Sequence, residues 1–217
     1  MCCVHIDWEF HPIPVQRNTM LETASLLMLV SYATVMSITP GPNNLLLMSS
    51  GLLFGLRRTG WHMAGITLGV VALIGSVGAG LGVLFAWEPR LQWVLKILGS
   101  LYMLWLAARL WHTDNLGEVA AVSPVRFWEA WGFQFINPKA WLMATTVVAV
   151  FVPDGQGYWW RLLQVSAIFG VVGAPCIFVW AASGAGLRAW LGSPCVLLWV
   201  NRVMAALAAM TAGLFWG

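Results

Sequence analysis

The chain has 217 residues, of which 60% are hydrophobic and only 9% charged, with a formal net charge of +3. Soluble domains carry about 25% charged residues, so this composition excludes an ordinary soluble globule, and the few scattered basic residues exclude a nucleic-acid partner. What is left is a chain suited to lipid, whose sparse charges mark topology.

Residues 1–19 differ from the rest of the chain. They hold Cys2, Cys3, His5, Asp7, Glu9, His11, Pro12, Pro14 and Arg17, without the basic start, apolar core and small-residue cleavage site of a signal peptide. The expectation is a disordered leader upstream of a native start at Met20, ahead of one integral membrane domain over 20–217. A metal-binding Cys/His tail is the rival reading, to which the spacing gives little support.

From Thr23 onward six apolar spans can be counted, over about 24–54, 63–86, 91–111, 127–152, 161–183 and 195–216. Each is near or above the ~20 residues needed to cross about 30 Å of hydrocarbon. The fold class expected is therefore an all-α membrane protein of six transmembrane helices. Trp61, Trp87, Trp111, Trp159, Trp160, Trp190 and Trp216 fall near span ends, where indole rings prefer the membrane interface.

The first span is interrupted by Thr39-Pro40-Gly41-Pro42-Asn43-Asn44. Each proline removes a backbone donor and clashes with the preceding turn, so the helix must break. In lipid, a break is tolerated only where the freed backbone groups are buried in protein or line a wet cavity. Asn43 and Asn44 open the second half-helix, whose free N–H groups suit a carboxylate. Discontinuous helices of this kind present themselves to anionic substrate groups in transporters; a kink that only shapes packing is the plainer alternative.

After the break come Arg57 and Arg58, whose simplest role is to set topology. The first, third and fifth loops carry Arg57, Arg58, Arg109, Arg126 and Arg188, against Arg17, Arg90 and Arg161 on the other side. That excess places the odd loops in the cytoplasm and both termini outside. Gly51-Leu-Leu-Phe-Gly55 and Gly65-Ile-Thr-Leu-Gly69 are small-xxx-small patterns; they let helices approach closely within one chain, and leave a homodimer open.

The second half repeats the first. Gly78-Ala79-Gly80-Leu81 recurs as Gly184-Ala185-Gly186-Leu187, and at the same offset Trp93-Val94 recurs as Trp199-Val200, with Lys96 answered by Arg202. The fourth span carries a matching interruption, Phe135-Ile136-Asn137-Pro138-Lys139-Ala140-Trp141. Repeats of about 24–111 and 127–216, each with a broken helix and two intact ones, are then inverted in topology because three spans is an odd number. That architecture sets the two breaks face to face near the midplane.

Lys139 lies between the span ends marked by Arg126 and Glu129 on one side and Asp154 on the other. An ammonium at that depth is expensive without a partner or a wet cavity. It could pair with a substrate carboxylate, give up its proton when buried, or snorkel to the interface. Gln134, three residues before Asn137, shares its helical face and either lines the cavity or bonds a neighbouring helix. Cys176 and Cys195 read as small apolar fillers. The four histidines, His5, His11, His62 and His112, are expected outside the spans, which leaves intramembrane hydrolase or metalloenzyme chemistry without a base or ligand. No cofactor is implied. A passive channel would need a continuous polar stripe in place of two local breaks. A small-ion or metal exporter of related architecture is the alternative to weigh, and the scarcity of mid-span acids argues against it.

With Pro40, Gly41, Pro42, Asn43 and Asn44 in the first break, Gly55-Leu56-Arg57-Arg58 after it, and Asn137, Pro138 and Lys139 in the second, the chain resembles the lysine exporter (LysE/RhtB) superfamily from Met20 to its end. It looks closest to the branch that exports neutral amino acids such as cysteine, O-acetylserine, threonine, homoserine or leucine. The resemblance implies a multi-pass exporter of the bacterial inner membrane, driven by the proton gradient, with those eight residues at its substrate site. The 19-residue leader departs from the family pattern.

Overall fold

The computed structural model describes residues 22–112, 124–188 and 194–216, so the leader with His5 and His11, together with Trp190 and the side chain of Cys195, falls outside the described part. The described residues are helical almost throughout. In chain order they form α1 (Thr23–Ile38), α2 (Pro42–Phe54) and α3 (Leu56–Ser76); a π-helical turn, Val77–Leu81, leads on to α4 (Gly82–Trp87). Then come α5 (Pro89–Trp111), α6 (Phe127–Phe133), α7 (Pro138–Phe151), α8 (Tyr158–Arg188) and α9 (Pro194–Leu214).

Among the described residues three stretches are long and apolar enough to cross a bilayer: Leu56–Leu84, Arg90–Ala108 and Tyr158–Leu187. The pair α1 and α2 makes a fourth when taken as one span, bent by 56° at the break. Shorter apolar helices cover Pro138–Phe151 and Leu198–Leu214. At 1.5 Å per residue the 14 residues of α7 reach only about 21 Å, short of the about 30 Å of a hydrocarbon core.

The first break falls where the sequence puts it. Helix α1 ends at Ile38, Thr39 is extended, and Pro42 opens α2 at a position that has no use for an N–H. The second break has the same design: α6 ends at Phe133, a turn comes next, and Pro138 opens α7 behind Asn137, whose side-chain oxygen accepts from the Lys139 amide. The region between the first two spans differs from expectation. Instead of a loop to residue 62, one residue, Gly55, separates α2 from α3. Its φ of 76° is the left-handed conformation that glycine adopts without penalty. Thr59 Oγ1 donates to Gly55 O at 2.9 Å and in turn accepts from Ser50 Oγ at 3.0 Å, clamping the turn from both sides. Arg57 and Arg58 therefore sit on the first turn of a helix. His62 is corrected more sharply: it lies within α3 and is 1% exposed.

Helix α8 is the axis of the bundle, packed on α1, α2, α3 and α7, while α5 and α9 form a pair beside it. Leu73, Ala144, Val147, Val165 and Phe169 lie at the centre of the main apolar core. Where helices come closest, glycine makes the room. A methyl group on Gly51 would strike the Ala181 carbonyl, and one on Gly184 the Met48 carbonyl. Gly65 faces the Phe127 carbonyl and Gly69 the Trp131 carbonyl. Both small-xxx-small patterns are thus used inside the chain. The repeated Gly-Ala-Gly-Leu does not keep one backbone: Gly80 has a φ of 116° in the π-helical turn, whereas Gly184–Leu187 continues α8. Of the tryptophans expected at span ends, Trp61, Trp87, Trp111, Trp159, Trp160 and Trp216 are exposed.

Candidate functional site

The two breaks face one another across a cavity of about 60 Å³, on a measure in which one water requires about 10–15 Å³. Its wall takes Gly41, Pro42, Asn43 and Asn44 from the first break, Asn137, Lys139 and Ala140 from the second, and apolar side chains of α1, α3, α7 and α8, among them Met36, Ile66, Met143 and Phe169. No Asp or Glu lines it. Eight of the nine residues picked out by sequence belong to the breaks, and the cavity brings six of them together: Gly41, Pro42, Asn43, Asn44, Asn137 and Lys139. Pro40, Gln134 and Pro138 are not among its lining residues.

Each polar residue has a definite engagement. Asn43 Nδ2 donates to Gln134 Oε1 at 2.8 Å, and Gln134 Nε2 returns a bond to Asn43 Oδ1 at 3.2 Å. Of the two sequence readings of Gln134, the bond to a neighbouring helix is the one realised: the residue is fully buried, with a further bond from Nε2 to Ala130 O. The reciprocal amide pair ties the first break to the second. Asn44, 4% exposed, turns back on the helix before it and donates to Ser37 O and Thr39 O, each at 2.8 Å. It satisfies carbonyls that the break has orphaned.

Lys139 crosses from the second break to the first. Its Nζ donates to Thr39 O at 2.9 Å, Thr39 Oγ1 at 2.8 Å and Pro40 O at 3.3 Å. The ammonium therefore rests on the negative end of the α1 dipole, with oxygen dipoles in place of a carboxylate. Gly41 eases this approach: a methyl group there would lie 3.0 Å from Lys139 Cδ and 3.2 Å from Nζ, so the arm would have to shift by a few tenths of an ångström. Its φ of 179° is open to any residue, so the constraint is space.

Three polar side chains, two indoles and one imidazole, escaped the sequence reading. Trp180 Nε1 donates to Ile38 O at 2.9 Å and Trp141 Nε1 to Phe135 O at 2.8 Å, one indole for each break. Trp141 lies well inside its apolar run, whereas Trp180 lies three residues before the expected end of the span 161–183. His62 is the second kind of miss. Its Nδ1 is buried without a hydrogen-bond partner, one turn before the cavity-lining Ile66. The premise that every histidine lies outside the spans thus fails.

The LysE type translocator family matches residues 34–216, which takes in both breaks. Proteins named cysteine/O-acetylserine efflux protein are similar over about 71% of this chain and 79% of their own length: 33% identical in Klebsiella pneumoniae, 32% in Salmonella typhimurium and 30% in Escherichia coli. No solved structure matches. A family match over nearly the whole helical chain, with apolar helices of spanning length, identifies a membrane transporter rather than an enzyme: the chain belongs to the LysE type translocator family.

Proposed function

We propose that this protein is a secondary active exporter of small neutral amino acids or their derivatives, working across a bacterial inner membrane. The class named by its relatives, cysteine and O-acetylserine, is the first to test. One observation carries the reading. Across only Thr39, Pro40 and Gly41, the carbonyl end of α1 and the amide end of α2 meet at one cavity. These ends carry opposite partial charges, and a zwitterion carries the complementary pair.

The substrate carboxylate lies at the N-terminus of α2, against the amides of Asn43 and Asn44 and the Asn43 side chain, and its ammonium lies against the carbonyls at the end of α1. Pro40, Gly41 and Pro42 hold that break open, and Asn137 and Pro138 hold the second, from which Gln134 and Lys139 reach across. The apolar remainder of the wall favours an uncharged side chain. The absence of Asp and Glu from that wall speaks against a metal or small-cation exporter.

The chain forms six spans in two inverted repeats, about 24–111 and 127–216. Support comes from the matched breaks, each closed by a proline-led half-helix and an indole donor. One repeat rocks against the other to alternate access. The driving force is the proton gradient, and the arginine bias places both termini outside.

The decisive experiment is efflux from cells expressing the chain from Met20 and challenged with a panel of labelled amino acids, with Asn44→Ala and Lys139→Ala as controls. Export of one neutral amino acid, collapsed by an uncoupler and reduced to background in both variants, is the expected result. Absence of efflux for every amino acid, from protein shown to be inserted, overturns the proposal. Unchanged export in both variants removes this cavity as the site.

A further inference from the structure

We infer that Thr39 O, Thr39 Oγ1 and Pro40 O form a subsite for a primary ammonium, that Lys139 is its resident occupant, and that the substrate's own ammonium must displace Lys139 to bind. The inference rests on the amino-acid exporter proposal and assigns a distinct role to one half of that site.

Number and kind of acceptors come first. Three oxygens converge on Nζ at 2.8, 2.9 and 3.3 Å, matching the three donors of an R–NH₃⁺ group. The Thr39 carbonyl has two lone pairs. One is held by Asn44 Nδ2 at 2.8 Å, so Lys139 takes the other and leaves none for a second cation. Thr39 Oγ1 directs its own hydrogen to Met36 O at 3.3 Å, which turns its lone pairs toward the ammonium. The subsite is thus built by its own neighbours, and it is full.

The way Lys139 is compensated makes it displaceable. No Asp or Glu lines the cavity, and the ion pair Arg90–Glu88 lies far along the chain from the breaks. No fixed carboxylate holds the Lys139 head. A buried ion pair would leave an uncompensated anion when broken, whereas a ring of dipoles accepts any ammonium that offers the same bonds. The stem is anchored separately: the Lys139 amide donates to Asn137 Oδ1 at 3.1 Å. The backbone thus stays in place while the flexible four-carbon arm swings. Gly41 leaves the path beside the arm free of a side chain.

Chemical selectivity is the consequence. A substrate must carry a free, protonated primary amine. N-acetylation removes the charge and two of the three donors, and full methylation removes all of them. Because the subsite is occupied at rest, apparent affinity is reduced by the fraction of time that Lys139 fills it. An occupancy near nine-tenths corresponds to about a tenfold loss.

The test is equilibrium binding of labelled L-cysteine and O-acetyl-L-serine to the purified full chain and to Lys139→Ala, with N-acetyl-L-cysteine as the analogue, and a thermal-stability arm with methylammonium and tetramethylammonium. The expected result has three parts. Lys139→Ala binds the amino acid about tenfold more tightly although it no longer exports, neither protein binds the N-acetyl analogue, and methylammonium but not tetramethylammonium raises the melting temperature of Lys139→Ala alone. Lys139→Met replaces Lys139→Ala if the smaller side chain does not yield folded protein. Weaker amino-acid binding by the variant overturns the inference, makes Lys139 a direct substrate ligand, and leaves the exporter reading standing. Equal stabilisation by both ammonium ions, or by neither, also overturns it. If no amino acid binds either protein, the exporter reading fails, and the methylammonium arm decides on the subsite by itself.

Discussion

At the scale of single residues, the site is a set of polar groups that have found one another. Asn43 and Gln134 exchange two bonds, and Asn44 and Lys139 close the open end of α1. His62 is the exception, with a buried Nδ1 that has no partner. Leaving such a group unsatisfied costs about 1–3 kcal/mol, and replacing it by an apolar group of similar volume is close to neutral or stabilising. His62→Leu should therefore melt at the same temperature as the parent or up to a few degrees higher. A drop of several degrees would mean that Nδ1 does have a partner in the membrane-embedded protein. Gln134→Leu should behave in the opposite way, since it strands the Asn43 amide in an apolar wall. A loss of about 1–3 kcal/mol in unfolding free energy is expected, and Asn43→Leu added to it should recover part of that loss.

At the scale of elements, the breaks were legible in the sequence because proline leaves no ambiguity: with no N–H and a fixed φ, Pro42 and Pro138 can only begin a helix. Among the described residues three long apolar helices, and the bent pair α1–α2 as a fourth, were legible because hydrocarbon demands long apolar runs. What surrounds them was less so. The expected loop after the first span is a single residue, because a left-handed Gly55 and the Thr59 hydroxyl accomplish the reversal locally. Hydropathy has no term for either. The second span begins at Leu56 rather than at residue 63 for the same reason: Arg57 and Arg58 depress the local hydropathy average, although they and His62 belong to α3. Trp141 and Trp180 were missed because an indole in an apolar run reads as bulk, and its N–H matters only once a broken helix offers it a carbonyl. Glycine contacts give this scale its test. Gly51→Ala and Gly184→Ala each drive a methyl group into a backbone carbonyl that cannot move without its helix. Each should lower stability by about 1–3 kcal/mol or more. Gly186→Ala, with open space around it, should be neutral or gain up to about 1 kcal/mol from helix propensity. Thermal unfolding of the three purified variants decides this, and similar losses in all three would refute the close approach of α2 and α8.

At the scale of the whole molecule, the proposed rocking of one repeat against the other would require the bonds between the breaks to part during each cycle. Holding them together should stop transport. With the four native cysteines replaced, Asn43→Cys combined with Gln134→Cys should lose its remaining efflux when treated with a reducible bifunctional thiol reagent, and regain it on reduction. Continued efflux with the link in place would show that the two breaks move as one. The same bonds have a bearing on the resting membrane. An idle exporter that held its polar groups apart would need water to satisfy them, and a file of water through the bilayer conducts protons. Here Asn43, Asn44, Gln134 and Lys139 satisfy each other and the severed helix end. On the proposed exporter reading, the carrier waiting for cargo is its own plug, and a cell can keep many idle copies in place without short-circuiting its membrane potential.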